Sequence, residues 1–402
     1  MSENKGHKFG LIETIIPLIC ICSPYNIGGI SLSVILMLIG ILYLLVRGRR
    51  LLAYRPMLAL FAFMLLHDFI KIAFVPMNAG LWLERIVYVI FLFTITSRVN
   101  YDKLYKSWSV LGFFAVLGLV YQSVQVYVLH APVRMIHIFP FLNSASENYE
   151  LAYLRPHSFF LEPASYVVWI IPLLCMLLDR GKMILAIIVT ITVLLSTSST
   201  GIVMVAVVWG CYAFALKGDT SKPVRRMFVI AGILLIVGLF LNLKIFSYGI
   251  NKLMNISIES TTNSVRLTLG YRLWWAAPLL YKVLGIPYAN VESYLRNGGI
   301  NLSRYYLTLN TSYLGYVNAI GNCMLMYGIL GLFLYIRMYW KLWPDLDKRL
   351  RIYFLACVLS IFGQSVFWNT IFVMQFAIML GCSTKAEDNS VKFVFGGNPA
   401  RS

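Results

Sequence analysis

The chain has 402 residues, of which 59% are hydrophobic and only 12% are charged. Soluble domains carry roughly 25% charged residues, so a water-soluble protein of this size would lack the polar surface to cover so much apolar material. The composition predicts a polytopic membrane protein and excludes a soluble enzyme, a secreted disulfide scaffold and a disordered tail.

Twelve apolar runs are long enough, or nearly long enough, to span a bilayer. In chain order they are 9–22, 29–46, 54–76, 80–96, 107–129, 159–178, 183–196, 200–216, 227–246, 311–340, 352–368 and 369–382. The sequence therefore predicts an all-α integral membrane protein, with about twelve transmembrane helices in one polytopic domain over 1–402. A signal peptide is the alternative for 9–22, because Lys5 and Lys8 precede a short apolar core.

The net charge of +18 is explained by topology rather than by a nucleic-acid partner. With the N-terminus inside, the segments predicted to face inward contain most of the 34 Lys and Arg residues. This distribution is the positive-inside bias of membrane proteins, so we expect both termini in the cytoplasm. The cysteines and histidines form no CxxC or HExxH pattern, and we expect neither a metal nor a cofactor.

Two segments predicted to face outward are longer than a turn, namely 130–158 and the larger 247–310. Loops of this length are usually functional or disordered. Within the second loop, Asn263 and Ser264 are positioned to cap a helix over 265–283, which its tryptophans predict to be interfacial.

The polar residues inside the predicted spans gather toward their outer ends. Asp68 and Lys71 lie beyond the midpoint of an outward-running span, and Glu84 and Arg85 open the span that returns. Charges at membrane depth are costly and usually line a cavity, which predicts a chamber open to the outer face. The alternative is that Asp68 neutralises Lys71 and Glu84 neutralises Arg85.

Basic side chains are also frequent in the predicted outer segments, against the topology rule. They are Arg134, Arg155, Lys252, Arg266, Arg272, Lys282, Arg296 and Arg304. Guanidinium groups bind phosphate with bidentate geometry, so a lipid-linked pyrophosphate is a suitable target. Pairing with anionic lipid or with nearby glutamates is the alternative.

Three stretches form a further pattern. RPHSFFLEPASY at 155–166 has an arginine, a Ser-Phe step and a Glu-Pro pair that opens a span, and LLSTSSTG at 194–201 is a serine-rich turn. The third stretch begins at Arg266 and includes LGIPYAN, NTSYL and GILG, which end at residue 331. In this order the stretches resemble the O-antigen polymerase (Wzy) family within the polymerase and ligase superfamily. The family's frequent arginine in the serine-rich turn and histidine before NTSYL are absent here.

The resemblance implies a GT-C-like glycosyltransferase in the bacterial inner (cytoplasmic) membrane. Such an enzyme moves a growing glycan from undecaprenyl pyrophosphate onto an undecaprenyl-pyrophosphate-linked repeat unit, in O-antigen (lipopolysaccharide) or capsule synthesis. Chain-length control in this family implies a regulator protein as a partner. No P-loop, Rossmann fingerprint or Asp-x-Asp site is evident, which suits a lipid-linked donor and metal-independent chemistry. A ligase of the same superfamily and a lipid-linked oligosaccharide flippase are the alternatives.

The predicted catalytic residues are Arg155 and Arg266, which would stabilise the leaving pyrophosphate, and Glu162, which would orient or deprotonate the acceptor hydroxyl. Holding Arg155 in place is the alternative role for Glu162. The remaining predicted substrate-binding residues are Arg272, Lys71, Asp68, Arg85, His157, Asn290 and Tyr313. On one helix, Arg266 and Arg272 would differ by roughly 120° around the axis, so we rank Arg266 first. For His157, simple exposure at a loop end is the alternative.

Overall fold

The computed structural model describes residues 9–47, 51–74, 79–144, 154–215, 265–298 and 317–393. The helices, in chain order, are α1 (Leu11–Cys22), α2 (Leu32–Val46), α3 (Arg55–Phe74), α4 (Ala79–Ile95), α5 (Tyr101–Tyr127), α6 (Pro163–Asp179), α7 (Met183–Leu195), α8 (Ser199–Ala215), α9 (Gly270–Ala276), α10 (Leu279–Leu284), α11 (Val291–Asn297), α12 (Ala319–Asp345), α13 (Arg351–Gly363) and α14 (Thr370–Gly381). A π-helical turn, Val265–Leu269, precedes α9, and a 3₁₀ turn, Lys348–Leu350, precedes α13.

The helices follow the apolar runs of the sequence, as expected for an all-α membrane protein. Eleven of the twelve runs overlap a helix, and the run 227–246 lies outside the described residues. Three helices, α3, α5 and α12, are long and apolar enough to cross a membrane, and six others are shorter apolar helices. The fold is therefore compatible with an all-α integral membrane protein, whereas twelve spans remain a prediction.

Among the described helices, α6 is the most completely buried, since every residue from Tyr166 to Leu178 is buried. A helix that is apolar on all sides belongs in the interior of a bundle. Its Trp169 lies against Trp108 of α5, with ring centroids 5.6 Å apart, and donates a hydrogen bond to the Pro17 carbonyl of α1. Pro163 at the first position of α6 has the φ angle that a helix start requires.

The chain forms two small antiparallel sheets between its helices. The first contains β1 (Tyr25–Ile27), β2 (Ile30–Ser31) and β4 (Asn143–Ser144). β1 and β4 lie in segments predicted to face outward, and β2 lies at the outer start of the predicted span 29–46. The second pairs β3 (Leu51–Tyr54) with β5 (Ser390–Phe393), both in segments predicted to face inward. Each sheet thus joins only segments that the sequence assigns to one side.

The predicted continuous helix over 265–283 is wrong. The chain forms a π-helical turn, then α9, and then breaks at Ala277 and Pro278 before α10. Proline lacks an amide hydrogen and clashes with the preceding turn, so it ends α9 and starts a separate short helix. The two arginines of this segment therefore do not lie on one regular α-helix.

The long helix α12 is also interrupted, at Gly328, whose φ of 64° is not helical. Here the last residues of α10, together with Gly285 that follows it, pack backbone to backbone against α12. A Cβ atom at Gly328 would lie 2.0 Å from the Val283 carbonyl oxygen, and one at Gly285 would lie 2.3 Å from the Met326 carbonyl oxygen. Both glycines are therefore required by this close approach as well as by their positive φ angles.

Candidate functional site at the predicted outer end of the bundle

The centre of the candidate site is an ion pair between Glu162 and Arg266, with 3.2 Å between Oε2 and a terminal guanidinium nitrogen. Glu162 immediately precedes α6, and Arg266 belongs to the π-helical turn before α9. Their side chains are 26% and 17% exposed, so both remain accessible from solvent. The structure therefore joins two of the three predicted catalytic residues, from two different loops.

Arg155 binds the serine-rich turn instead of Glu162. Its Nε donates to Thr197 Oγ1 at 3.1 Å, and a terminal nitrogen donates to the Thr197 carbonyl oxygen at 3.0 Å. Arg155 thus supplies a guanidinium to a turn that has no arginine of its own. We refer to Arg155, Glu162, Thr197 and Arg266 as the outer-end cluster.

Gln122 of α5 fixes the loop between Arg155 and Glu162. Its Oε1 accepts hydrogen bonds from the backbone amides of His157 (2.7 Å) and Ser158 (2.6 Å). Its Nε2 donates to the carbonyl oxygens of Arg134 (2.8 Å) and Ser158 (3.3 Å). His157 is fully buried, and its Nδ1 lies 2.7 Å from the Arg155 carbonyl oxygen. The alternative of an exposed His157 is therefore wrong, because this network holds the loop against α5.

Further contacts join helix ends close to the outer-end cluster. Gln364, which follows α13, donates to Thr200 Oγ1 at 2.8 Å, and its carbonyl oxygen accepts from the Ala319 amide at 2.9 Å. Asn318 caps α12 and donates to the Tyr271 hydroxyl of α9 at 3.4 Å. The starts of α6, α8, α9 and α12 are thereby linked at one end of the bundle.

Three residues in these loops have positive φ angles without being glycine. They are Ser158 (57°), Thr197 (51°) and Trp368 (57°). Such conformations cost of order 1–3 kcal/mol each and tend to occur at functional sites. For Thr197 the cost is large because its side chain is β-branched. Local strain therefore coincides with the polar contacts at this end of the bundle.

A second group of polar side chains lies on α3, α4 and α12. In it, Asp68 forms no ion pair with Lys71 and Glu84 forms none with Arg85, so both pairs that the sequence suggested are wrong. Asp68 forms its ion pair with Arg85 and accepts a 2.8 Å hydrogen bond from the Tyr327 hydroxyl. Lys71 donates to the Met326 carbonyl oxygen at 2.8 Å, next to the break in α12. Glu84 accepts from the Tyr88 hydroxyl. We refer to His67, Asp68, Lys71, Arg85, Tyr327 and Trp368 as the Asp68 cluster.

The other predicted binding residues belong to neither cluster. Asn290 caps α11 through the Ser293 amide at 2.8 Å, so its side chain has a structural partner. Arg272 lies in α9 and forms no ion pair with a described residue. Tyr313 lies outside the described residues. Of the other basic residues in the outer loops, Arg296 pairs with Glu292 at 2.7 Å.

Sequence reasoning missed Tyr327 and Asn318 as parts of these networks. An asparagine directly before an apolar helical run is a capping signal, so Asn318 was recognisable in principle. Tyr327 precedes Gly328, but nothing in the sequence indicates that its hydroxyl lies next to Asp68.

Among the described residues, no group of three or more His, Cys, Asp or Glu side chains is placed to hold a metal ion. No protein-family model matches the sequence, and no curated protein matches it. A functional assignment therefore depends on the residues and their geometry.

Proposed function

We propose that this protein is a polysaccharide polymerase of the bacterial inner membrane. It transfers a growing glycan from undecaprenyl pyrophosphate to the sugar of an undecaprenyl-pyrophosphate-linked repeat unit at the outer face of that membrane. With both termini in the cytoplasm, the loops that contain Glu162 and Arg266 face outward. O-antigen and capsule synthesis are the pathways that use this chemistry.

The observation that carries the proposal is the contact of Glu162 with Arg266. It places a carboxylate and a guanidinium from two loops at one accessible point, while Arg155 is fixed on the adjoining serine-rich turn. A transfer from a lipid pyrophosphate needs positive charge on the leaving group and a base near the acceptor. The three residues match these two requirements.

In the proposed reaction, the anomeric carbon of the donor glycan loses its bond to the pyrophosphate oxygen. The acceptor hydroxyl oxygen bonds to that carbon, and its proton passes to the Glu162 carboxylate. Undecaprenyl pyrophosphate leaves with the electron pair, and Arg266 and Arg155 stabilise the charge that develops on it. Arg266 also orients the Glu162 carboxylate toward the acceptor.

The test is complementation of a polymerase-deficient strain with Arg155→Ala, Glu162→Ala and Arg266→Ala. Each variant is expected to reach normal protein levels but to produce only single repeat units on a gel. Arg296→Ala is the matched control, because Arg296 pairs only with Glu292 of its own helix in the described part of the chain. Normal long-chain ladders from all three variants would refute the proposal, and long lipid-linked chains that accumulate without the protein would instead identify a ligase.

The break in α12 favours a second candidate, a lipid-linked oligosaccharide flippase. Interrupted helices with charged residues beside the break are typical of transporters, and Lys71 binds the carbonyl oxygen at this break. Cysteine scanning of α3 and α12 with an impermeant thiol reagent separates the two functions. Labelling along a continuous path to the inner ends would favour transport, whereas labelling limited to the outer ends would favour the polymerase.

A further inference from the structure

Lys71 and Arg85 give the Asp68 cluster two positive groups against the one carboxylate of Asp68, while the carboxylate of the neighbouring Glu84 accepts from the Tyr88 hydroxyl. Asp68 is completely buried and Lys71 is 5% exposed, while the Arg85 side chain is 14% exposed. The single carboxylate of Asp68 pairs with Arg85, and Lys71 has no carboxylate within ion-pair distance among the described residues. A buried charge without a counter-charge is costly, so the cluster favours an anion.

The cluster also contains buried polar atoms with no hydrogen-bond partner among the described residues. They are His67 Nδ1, Asp68 Oδ1 and Trp368 Nε1. Such atoms are rare in folded proteins and indicate water or a ligand. These atoms lie in one region of the protein. The rings of His67 and Tyr327 are 5.3 Å apart, and the Arg85 guanidinium lies 5.9 Å from the centre of the Trp368 ring. A single bound molecule would therefore account for all three atoms.

These atoms and the neighbouring charged groups divide into hydrogen-bond acceptors and hydrogen-bond donors. The ring nitrogen Nε2 of His67 lies 2.6 Å from the Leu284 carbonyl oxygen, so Nε2 must carry the proton and Nδ1 of the neutral ring is an acceptor. His67 Nδ1 and Asp68 Oδ1 can therefore accept hydrogen bonds from hydroxyl groups. Trp368 Nε1, Lys71 and Arg85 are donors, which suit phosphate oxygens.

The break in α12 fixes this arrangement. The carbonyl oxygens of Leu325 and Met326 accept hydrogen bonds from the Ile286 amide and from Lys71, each at 2.8 Å. Non-helical backbone at membrane depth is tolerated where it is buried in protein or lines a cavity. Lys71 therefore uses one of its three donors on the backbone and has two others for a ligand.

We propose that the Asp68 cluster is a second anion subsite, which binds the glycosyl phosphate headgroup of a lipid-linked sugar. Lys71, Arg85 and Trp368 bind the phosphate, and Asp68 and His67 accept from sugar hydroxyls. This inference rests on the proposed function for the identity of the lipid. A polymerase must hold two lipid-linked substrates at once, and the outer-end cluster provides for only one pyrophosphate.

The two clusters meet α12 at different levels. Tyr327 is eight residues from Ala319, whose amide is bonded to Gln364 beside the outer-end cluster. Eight residues of helix rise about 12 Å, so Tyr327 lies about that far along α12 from its first residue. The proposal therefore treats the Asp68 cluster as a subsite of its own.

The experiment counts bound undecaprenyl diphosphate on the purified full-length protein by native mass spectrometry. Undecaprenol and phosphatidylglycerol serve as comparison lipids. We expect two bound undecaprenyl diphosphates for the unaltered protein, one for Lys71→Gln, one for Arg266→Gln and two for the control Arg296→Gln. Lys71→Arg, which keeps the charge, should retain two.

Asp68→Asn should change the affinity for the diphosphate in the opposite direction from Lys71→Gln. The two variants together therefore distinguish a binding site from simple misfolding. Removal of the carboxylate leaves the cluster with one more net positive charge, so the diphosphate at this subsite should bind roughly tenfold more tightly. Lys71→Gln should weaken the same binding roughly tenfold or more. A structural role alone would make both variants less stable and would move neither affinity in this pattern.

The outcomes separate this inference from the proposed function. Loss of one lipid in Lys71→Gln, with no loss in Arg266→Gln, supports the second subsite and contradicts the proposed polymerase site. Two bound lipids in Lys71→Gln overturn the inference whatever Arg266→Gln shows. Equal binding of phosphatidylglycerol would assign the subsite to membrane phospholipid and would also overturn it.

Discussion

The carboxylate of Glu162 lies 3.2 Å from the guanidinium of Arg266, although 104 residues separate them in the chain. The contact brings the start of α6 to the π-helical turn before α9, so it joins two loops of the predicted outer face. Because both side chains remain partly exposed, the pair can also contact a ligand.

The first prediction concerns the role of this pair. Glu162→Gln should lower the rate of repeat-unit polymerisation in proteoliposomes by about 10²-fold or more, because a general base contributes this much. The free energy of unfolding should change by less than about 1 kcal/mol, because partly exposed ion pairs contribute little.

The charge-reversed double variant, Glu162→Arg with Arg266→Glu, is the control for this prediction. It restores the attraction between the two positions but reverses their chemistry, so stability should stay close to that of the unaltered protein while polymerisation stays lost. Recovered polymerisation in the double variant would mean that the pair only holds the two loops together.

The second prediction separates strain from hydrogen bonding at Thr197. Thr197→Val keeps the β-branched side chain at a positive φ angle and removes the hydroxyl that accepts from Arg155. Thr197→Gly removes the same hydroxyl and also relieves the strain. The glycine variant should therefore be more stable than the valine variant by about 1–3 kcal/mol in thermal or denaturant unfolding.

Both Thr197 variants should lose activity to a similar extent, because each leaves Arg155 with only the Thr197 carbonyl oxygen as its acceptor in the turn. Full activity in the glycine variant would show that the turn needs neither the hydroxyl nor the strained conformation. That result would leave the Thr197 carbonyl oxygen as the contact in the turn that Arg155 needs.

The positions of the helices follow directly from the sequence, because apolar runs of sufficient length determine them. The contacts of Glu162 with Arg266 and of Arg155 with Thr197 join polar residues that the sequence placed near the ends of predicted spans. Their position at the outer face of a membrane stays a prediction. The segment around Pro278 was predicted incorrectly. Its apolar and aromatic residues suggested one helix over 265–283, but Pro278 has no amide hydrogen, so α9 ends before it and α10 begins after it.

The partners of the charged residues could not be predicted in the same way. Sequence spacing pairs Asp68 with Lys71 on one helix face, but Asp68 pairs with Arg85 on the next helix. Likewise Glu162 pairs with Arg266 and not with Arg155. Such choices depend on how helices pack against each other, and spacing along one helix contains no information on that packing.

The third prediction concerns Gln122, which holds the loop between Arg155 and Glu162. Gln122→Leu leaves the backbone amides of His157 and Ser158 without their buried acceptor. The expected loss is about 2–4 kcal/mol of unfolding free energy, because each unsatisfied buried amide costs about 1–3 kcal/mol. Thermal unfolding in detergent provides the measurement.

Gln125→Leu is the matched control for Gln122→Leu, since it lies one turn further along α5. Within the described part of the chain its side chain donates only to the Tyr121 hydroxyl of its own helix, so stability should change by less than about 0.5 kcal/mol. Equal losses from the two variants would show that the network around Gln122 does not hold the loop.

The fourth prediction concerns the close approach of Gly328 in α12 to the end of α10. A Cβ atom at Gly328 would meet the Val283 carbonyl oxygen at 2.0 Å and the Leu284 nitrogen at 2.8 Å, and the φ of 64° disfavours any other residue. Because both clashing atoms belong to the backbone, a side-chain rotation cannot relieve them. Gly328→Ala should therefore cost about 3 kcal/mol.

Gly210→Ala provides the opposite expectation within the same molecule. Gly210 lies inside α8, where an added Cβ atom would meet no other described part of the protein within 4 Å apart from its own turn of helix, so alanine should stabilise the helix by roughly 0.5–1 kcal/mol. Thermal unfolding of both variants measures the difference. If Gly328→Ala were as stable as Gly210→Ala, the break in α12 would not be held by this contact. The Met326 carbonyl oxygen would then be free to return to a regular helix, and Lys71 would lose the acceptor that fixes it beside Asp68.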